Sequence, residues 1–168
     1  MCEKRSAGVG VSPEPRQEVM SMTRYLVVAH QTAESSELME MVGQLLQNEP
    51  RAEFALLVPA TPVEHLRTWD ETESRSVAAE QARRAKALFE REGAYVIRAV
   101  VGDASPMHAI GEELRAHPEH YGAIVIATFP AHISRWLQLD LPNQAKDTFG
   151  LPVIHVEAQP HPSSVRAR

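Results

Sequence analysis

The chain has 168 residues, 43% hydrophobic and 23% charged, proportions that suit one ordinary folded domain with enough apolar side chains for a sizeable core. Its formal net charge of -5 and scarcity of Lys/Arg runs argue against a nucleic-acid partner, because phosphate binding relies on clustered cations. The single cysteine, Cys2, allows neither an intrachain disulfide nor a thiolate metal cluster. No apolar run approaches the roughly eighteen residues of a membrane span, and the amino-terminal segment has no apolar signal core despite Lys4 and Arg5. The expectation is a cytoplasmic protein with no membrane partner.

In chain order, residues 1–23 mix Gly8, Gly10, Pro13 and Pro15 with charges of both signs and show no apolar period; they read as a disordered leader, with Met20 or Met22 as alternative starts to Met1. The patterned domain spans residues 24–158. Tyr25-Leu26-Val27-Val28-Ala29 is a continuous apolar run ended by His30-Gln31-Thr32, the mark of a strand buried on both faces. Ser35-Ser36 offers an N-cap to a helix whose apolar positions are Leu38, Met41, Val42, Leu45 and Leu46. Phe54-Ala55-Leu56-Leu57-Val58 repeats the strand signature. After Pro59 and Pro62, the run Asp70-Glu71-Thr72-Glu73 resembles a capping box. Ala78, Ala82, Ala85, Leu88 and Phe89 then trace a helix face that stops at Gly93.

Tyr95 to Val101 reads as a third strand with Arg98 inside it, and Gly102-Asp103-Ala104-Ser105-Pro106 opens the next helix, with Ser105 at the cap and Pro106 in its first turn. Met107, Ile110 and Leu114 form its apolar stripe. Ala123 to Ala127 and Val153 to Val156 are the fourth and fifth strands, joined by a Trp- and Leu-rich crossover with a short helix around Asn143 to Phe149; residues 159–168 read as a flexible tail. Regular alternation of strands and helices predicts an α/β fold of Rossmann-like, doubly wound type: a five-stranded parallel sheet with helices on both faces.

Three stretches make this order resemble the universal stress protein family. They are Tyr25 to His30, the Val101-Gly102-Asp103 exit leading to Pro106 and Ile110, and Ala123 to Ala127 paired with Leu151-Pro152-Val153-Ile154-His155-Val156. The resemblance implies strand order 3-2-1-4-5 and a homodimer made through the last strand, Val153, Ile154 and Val156. Many family members bind ATP through an aspartate after strand one and a G-x2-G-x9-G-S/T motif after strand four, where glycines let backbone N–H groups approach phosphate. Here His30 stands at the aspartate position, and Thr128-Phe129-Pro130-Ala131-His132-Ile133-Ser134 contains no glycine. ATP as cofactor is therefore disfavoured, and none is expected.

In a sheet of that order ligands bind beyond the carboxyl ends of the strands where the order reverses, between strands one and four. That rule groups His30, Thr32, Thr128, His132, Ser134 and Arg135 as a candidate site for a small anionic ligand, with Arg135 as fixed cation and histidines tunable by their surroundings. The alternative is structural: Arg135 paired with Asp140 or a dimer partner, Trp136 packed on the sheet with Leu137, Leu139 and Leu141, and His30 bonded to its loop.

His117-Pro118-Glu119-His120 lacks a dependable metal-binding face, so no metal is expected. Asp103 reads as an Asx turn rather than a phospho-acceptor, because further acids and a lysine would be needed around it. Arg98 within a strand fits an edge position from which its head reaches solvent. No G-x-S-x-G, P-loop or H-E-x-x-H motif occurs, so catalysis is not expected. The sequence thus points to a non-catalytic stress-response or regulatory domain, with a nucleotide binder using His30, Thr128, Ser134 and Arg135 as the alternative.

Overall fold

Each of the apolar runs forms a strand, and the helices fall between them. In the computed structural model, which describes residues 22–62, 70–118 and 121–160, the order is β1 (Arg24–Val28), α1 (Ser36–Asn48), β2 (Glu53–Pro59), α2 (Glu71–Arg91), β3 (Tyr95–Gly102), α3 (Pro106–Ala116), β4 (Ala123–Thr128), α4 (Arg135–Gln138), α5 (Leu141–Phe149) and β5 (Val153–Glu157). The strands make one five-stranded sheet in the order β3-β2-β1-β4-β5, with every pair parallel. The expected fold and strand order are both present. Expectations placed on residues 1–21, on Glu119 and His120, and on 161–168 lie outside the described residues.

Parallel strands need crossovers, and the crossovers cover both faces of the sheet. Alternation along the strands divides the core accordingly. Tyr25, Val27, Phe54, Leu56 and Val58 pack under Leu38 and Val42 of α1 and Ala78, Ala82, Ala85 and Phe89 of α2. Leu26, Val28, Ala55, Leu57, Ile124 and Ile126 face Ala109 and Ile110 of α3, Trp136 of α4, and Leu141 and Ala145 of α5. The alanine stripe lets α2 lie close to the sheet, and Phe89 at its end meets Phe54 edge-on at 6.1 Å between ring centres. Ser35 caps α1 by accepting from the Leu38 N–H at 3.3 Å. Asp70 caps α2, accepting from the Thr72 N–H at 2.9 Å.

Where α3 begins, the fit is tighter. A Cβ on Gly102 would stand 2.6 Å from Ala109 Cβ and 2.9 Å from Leu57 Cδ1, so only glycine lets the helix settle this close to the end of β3. Asp103 makes the expected Asx turn, its carboxylate accepting from the Ser105 N–H at 2.8 Å. That bond holds its pKa below the usual carboxylate range, with His108 adding to the effect. Ser105 occupies the cap position, but its side chain makes no cap bond.

Arg98 lies on an edge strand, as the strand order implies, but its head does not simply reach for water. The β2–β3 register shifts beside Phe54 and Ala55, pairing Val96 and then Arg98 and leaving Ile97 as the extra residue. The shift turns Arg98 onto the α3 face. Its guanidinium donates to Glu113 Oε2 at 2.9 Å and sits against His117 Nε2. Tyr121 closes the group by donating to the other Glu113 oxygen at 2.6 Å. Burial, and next the Glu113 hydrogen bond, push the Tyr121 hydroxyl well above its ordinary pKa, so it stays a donor.

Two details of the crossover depart from expectation. The helix begins at Leu141 rather than near Asn143, preceded by the short α4. Trp136 and Leu141 are buried, whereas Leu139 is 59% exposed and does not help to hold the segment down. The reason lies in the backbone. Asp140 adopts a left-handed conformation, φ 54°, which breaks the helical rotation between α4 and α5 and leaves Leu139 on the outside.

Candidate functional site

At the carboxyl ends of β1 and β4 the connections diverge, because β1 continues towards β2 and β4 towards β5. This is where an open α/β sheet offers a crevice. Val28 pairs with Ile126, and continuing that register sets His30 beside Thr128. After His30 the chain turns tightly: the Ala33 N–H donates to the His30 carbonyl and the Ser35 N–H to the Thr32 carbonyl, each at 3.0 Å. The turn is fastened to the end of β4 by Thr32, whose hydroxyl donates to the Ala127 carbonyl at 2.8 Å.

Three of the six candidate residues turn out to have structural work. Thr32 makes the bond just described. Thr128, 2% exposed, shares a 2.8 Å hydrogen bond with Nε2 of His155 on β5. Ser134 caps α4 by accepting from the Leu137 N–H at 3.3 Å. His132 and Arg135 are exposed on the loop and the α4 surface. Among the described residues no ion pair joins Arg135 to Asp140, whose carboxylate instead accepts from Asn143 at 2.8 Å. His155 is the residue that sequence reading missed; its signal was a histidine interrupting the last apolar run.

His30 behaves differently from the rest. The residue is 7% exposed, yet Nε2 is buried without a hydrogen-bond partner; the expected bond to the loop is made by the backbone carbonyl, to the Ala33 N–H, and not by this nitrogen. Burial pushes its pKa down to about 4, which leaves the imidazole neutral at pH 7. Within the candidate set it therefore offers a hydrogen-bonding nitrogen and no positive charge. The fixed cation is Arg135 alone.

The loop after β4 is poorly suited to cradling phosphate. Pro130 has no N–H, and the Ile133 and Ser134 N–H groups already donate to the Pro130 carbonyl at 3.0 and 2.9 Å. A glycine-rich loop would keep such donors free and add more. Among the described residues no three His, Cys, Asp or Glu side chains converge as metal ligands, and no helix is long and apolar enough to cross a membrane.

No family model and no curated protein matches the sequence. Solved structures do match. The chain is similar to a universal stress protein from Archaeoglobus fulgidus, with a TM-score of 0.55 and 16% identity over 80% of this chain and 93% of that one. This is the universal stress protein fold. The A. fulgidus universal stress protein solved in complex with dAMP matches with a TM-score of 0.51 and 16% identity, over 82% of this chain and 98% of that one. An Arabidopsis thaliana universal stress protein family protein with AMP bound gives a TM-score of 0.51 and 11% identity, over 86% and 96%. Identities this low carry the architecture across and nothing finer.

Proposed function

We propose that the protein is a non-catalytic, homodimeric sensing domain of the universal stress protein type. It takes a small ligand between β1 and β4 and acts in a cytoplasmic stress response or regulation by association with partners. One observation carries the reading: the buried His30 imidazole, with Nε2 unpartnered, lies at the reversal of strand order. Leaving a buried polar atom unpaired costs about 1–3 kcal/mol, and such groups are found where a ligand or ordered water completes the bonding. Arg135, exposed at the start of α4, supplies a cation for an anionic portion of the ligand. The non-catalytic reading is supported by the three hydroxyls of the candidate set, which are all buried and engaged: Thr128 with His155, Thr32 with the Ala127 carbonyl and Ser134 with the Leu137 N–H. The reading requires no cofactor.

Dimerisation is proposed through β5, whose one sheet neighbour is β4. An edge strand with apolar Val153 and Ile154 still partly exposed is a template for pairing with a second copy. Light scattering at tens of micromolar protein tests this, and a monomer mass there overturns it.

A second reading is an adenine-nucleotide binder. It is favoured by similar structures that hold dAMP and AMP; here His30, Thr128, Ser134 and Arg135 would serve in place of a glycine loop. Native mass spectrometry with added AMP and ATP separates the two. Nucleotide retained at micromolar concentration and lost in Arg135→Ala supports the second reading. No nucleotide adduct, together with a thermal shift from non-nucleotide anions that vanishes in Arg135→Ala, supports the first. Absence of any ligand-dependent shift refutes the site itself.

A further inference from the structure

The free edge of β5 carries its own register. β5 has β4 as its one sheet neighbour, and the bonds at its two ends show which of its residues face that neighbour. The Ile124 N–H donates to the Pro152 carbonyl at 2.9 Å, and the Ala158 N–H to the Thr128 carbonyl at 2.8 Å. In a strand the N–H and C=O of one residue point the same way, and the direction alternates from residue to residue. Ile154 and Val156 are therefore turned to β4, whereas Val153, His155 and Glu157 present their N–H and C=O groups to the open edge. Val153 packs in the cluster with Leu141 and Ala145 of α5, and side-chain alternation puts His155 and Glu157 on that same face of the sheet. Both are exposed.

Symmetry narrows how two such edges meet. A second copy related by a two-fold axis perpendicular to the sheet adds an antiparallel strand and keeps each face on its own side. Residues directly opposite one another in that pair share a face, so the axis passes between a residue and its own copy. Centred on His155, the pairing engages the whole of Val153–Glu157 and every backbone group that points outward. Centred on Ile154 it leaves Val156 and Glu157 opposite residues outside the strand, and centred on Val156 it does the same to Val153 and Ile154. We propose that β5 is a self-pairing surface with His155 on the two-fold axis and with Glu157 of the second copy set diagonally to the His155 ring, within reach of a long side chain. This rests on the homodimer already proposed and adds its register and a polar contact. The ring is turned for that contact by Thr128, whose hydroxyl lies 2.8 Å from Nε2. With the hydroxyl donating, the neutral imidazole carries its proton on Nδ1 and donates it to the Glu157 carboxylate of the second copy. Each copy thereby reaches Thr128, a member of the candidate site, through one side chain of the other.

Single cysteines in the full-length protein, in a Cys2→Ser background, test the register. Across the axis residue 155 meets its own copy at about 5.5 Å between Cα atoms, whereas residue 153, like residue 157, lies about 13 Å from its own copy along the strands. A short bifunctional thiol reagent should link His155→Cys to itself at least about ten-fold faster than it links Val153→Cys or Glu157→Cys to themselves. Mixing the last two variants should restore fast cross-linking, because 153 and 157 stand opposite each other. His155→Glu sets two carboxylates face to face and should weaken the dimer about five-fold by sedimentation, while His155→Gln, which keeps a donor, should not. A monomer mass for the unmodified protein overturns the dimer and its register together. A dimer that cross-links fastest through residue 153 or 157 alone overturns the register and leaves the dimer standing, as does a His155→Glu variant that associates as tightly as wild type. Unchanged circular dichroism of each variant confirms that the comparison is made on folded protein.

Discussion

Protonation of His30 offers a direct measure of how the crevice is built. Its folded pKa is about 4, against about 6.5 for an unperturbed histidine. The folded value is the lower one, so acid favours the unfolded chain: stability is full above about pH 6.5 and drains away as the pH falls towards 4. At 7% exposure the ring is too buried for solvent to screen the effect. The whole shift corresponds to about 3 kcal/mol, of which about 2 kcal/mol is lost between pH 7 and pH 5. Carboxylates contribute their own pH dependence, so the informative quantity is the difference between wild type and His30→Phe, which keeps an aromatic ring and removes the nitrogens. Urea unfolding at pH 7, 6 and 5 should show the wild type losing about 2 kcal/mol more than the variant over that interval. The variant should match or exceed wild-type stability at pH 7, because an unpaired buried nitrogen has been removed. Parallel losses, agreeing within about 0.5 kcal/mol, would show that His30 finds water or a partner in the folded state, and the argument from its burial would fail.

Three further outcomes follow from the geometry. Gly102→Ala should lower stability by roughly 1–3 kcal/mol, because the new methyl would overlap Ala109 and Leu57; Ala109→Gly in the same chain should recover part of the loss, and an unshifted thermal midpoint for the single variant would contradict the close approach of α3. Thr32→Val removes the hydroxyl that fastens the turn to Ala127 at the end of β4 and should cost about 1–3 kcal/mol by denaturant unfolding; a change too small to measure would mean the turn after β1 is held by other contacts. At the opposite end of the sheet, Glu113→Ala strips Arg98 and Tyr121 of their shared acceptor. It should cost about 2 kcal/mol, and a double-mutant cycle with Arg98→Ala should give a coupling of about 1 kcal/mol. Strict additivity in that cycle would rule out the pair.

Much of the fold was legible in the sequence because it rests on local periodicity. Continuous apolar runs such as Tyr25 to Ala29 and Ala123 to Ala127 announce strands covered on both faces, and the spacing of Leu38 and Val42, or of the α2 alanines, announces the helices that cover them. Caps at Ser35 and Asp70 are likewise local chemistry. The candidate site was legible only as a list of neighbours. Topology placed His30 next to the end of β4, but nothing in the order of residues could say that Thr32 would spend its hydroxyl on Ala127, that Thr128 would bond His155, or that His30 would be buried with a nitrogen unpaired. Those outcomes depend on which polar atoms meet between segments 27 and 95 residues apart in the chain.

Arg98 makes the same division within one residue. The sequence by itself marked it as the charged position of an edge strand, since a cation is tolerated where the strand meets solvent. Only the tertiary structure decided where its charge goes. A one-residue shift in the β2–β3 register turns the side chain to the other face of the sheet, because side chains alternate with period two. Glu113 and Tyr121 meet it there because α3 packs on that face. Patterning along the chain determined the strands, the helices and their order, while packing between elements decided which polar groups are satisfied by one another and which, like His30 Nε2, are buried without a partner.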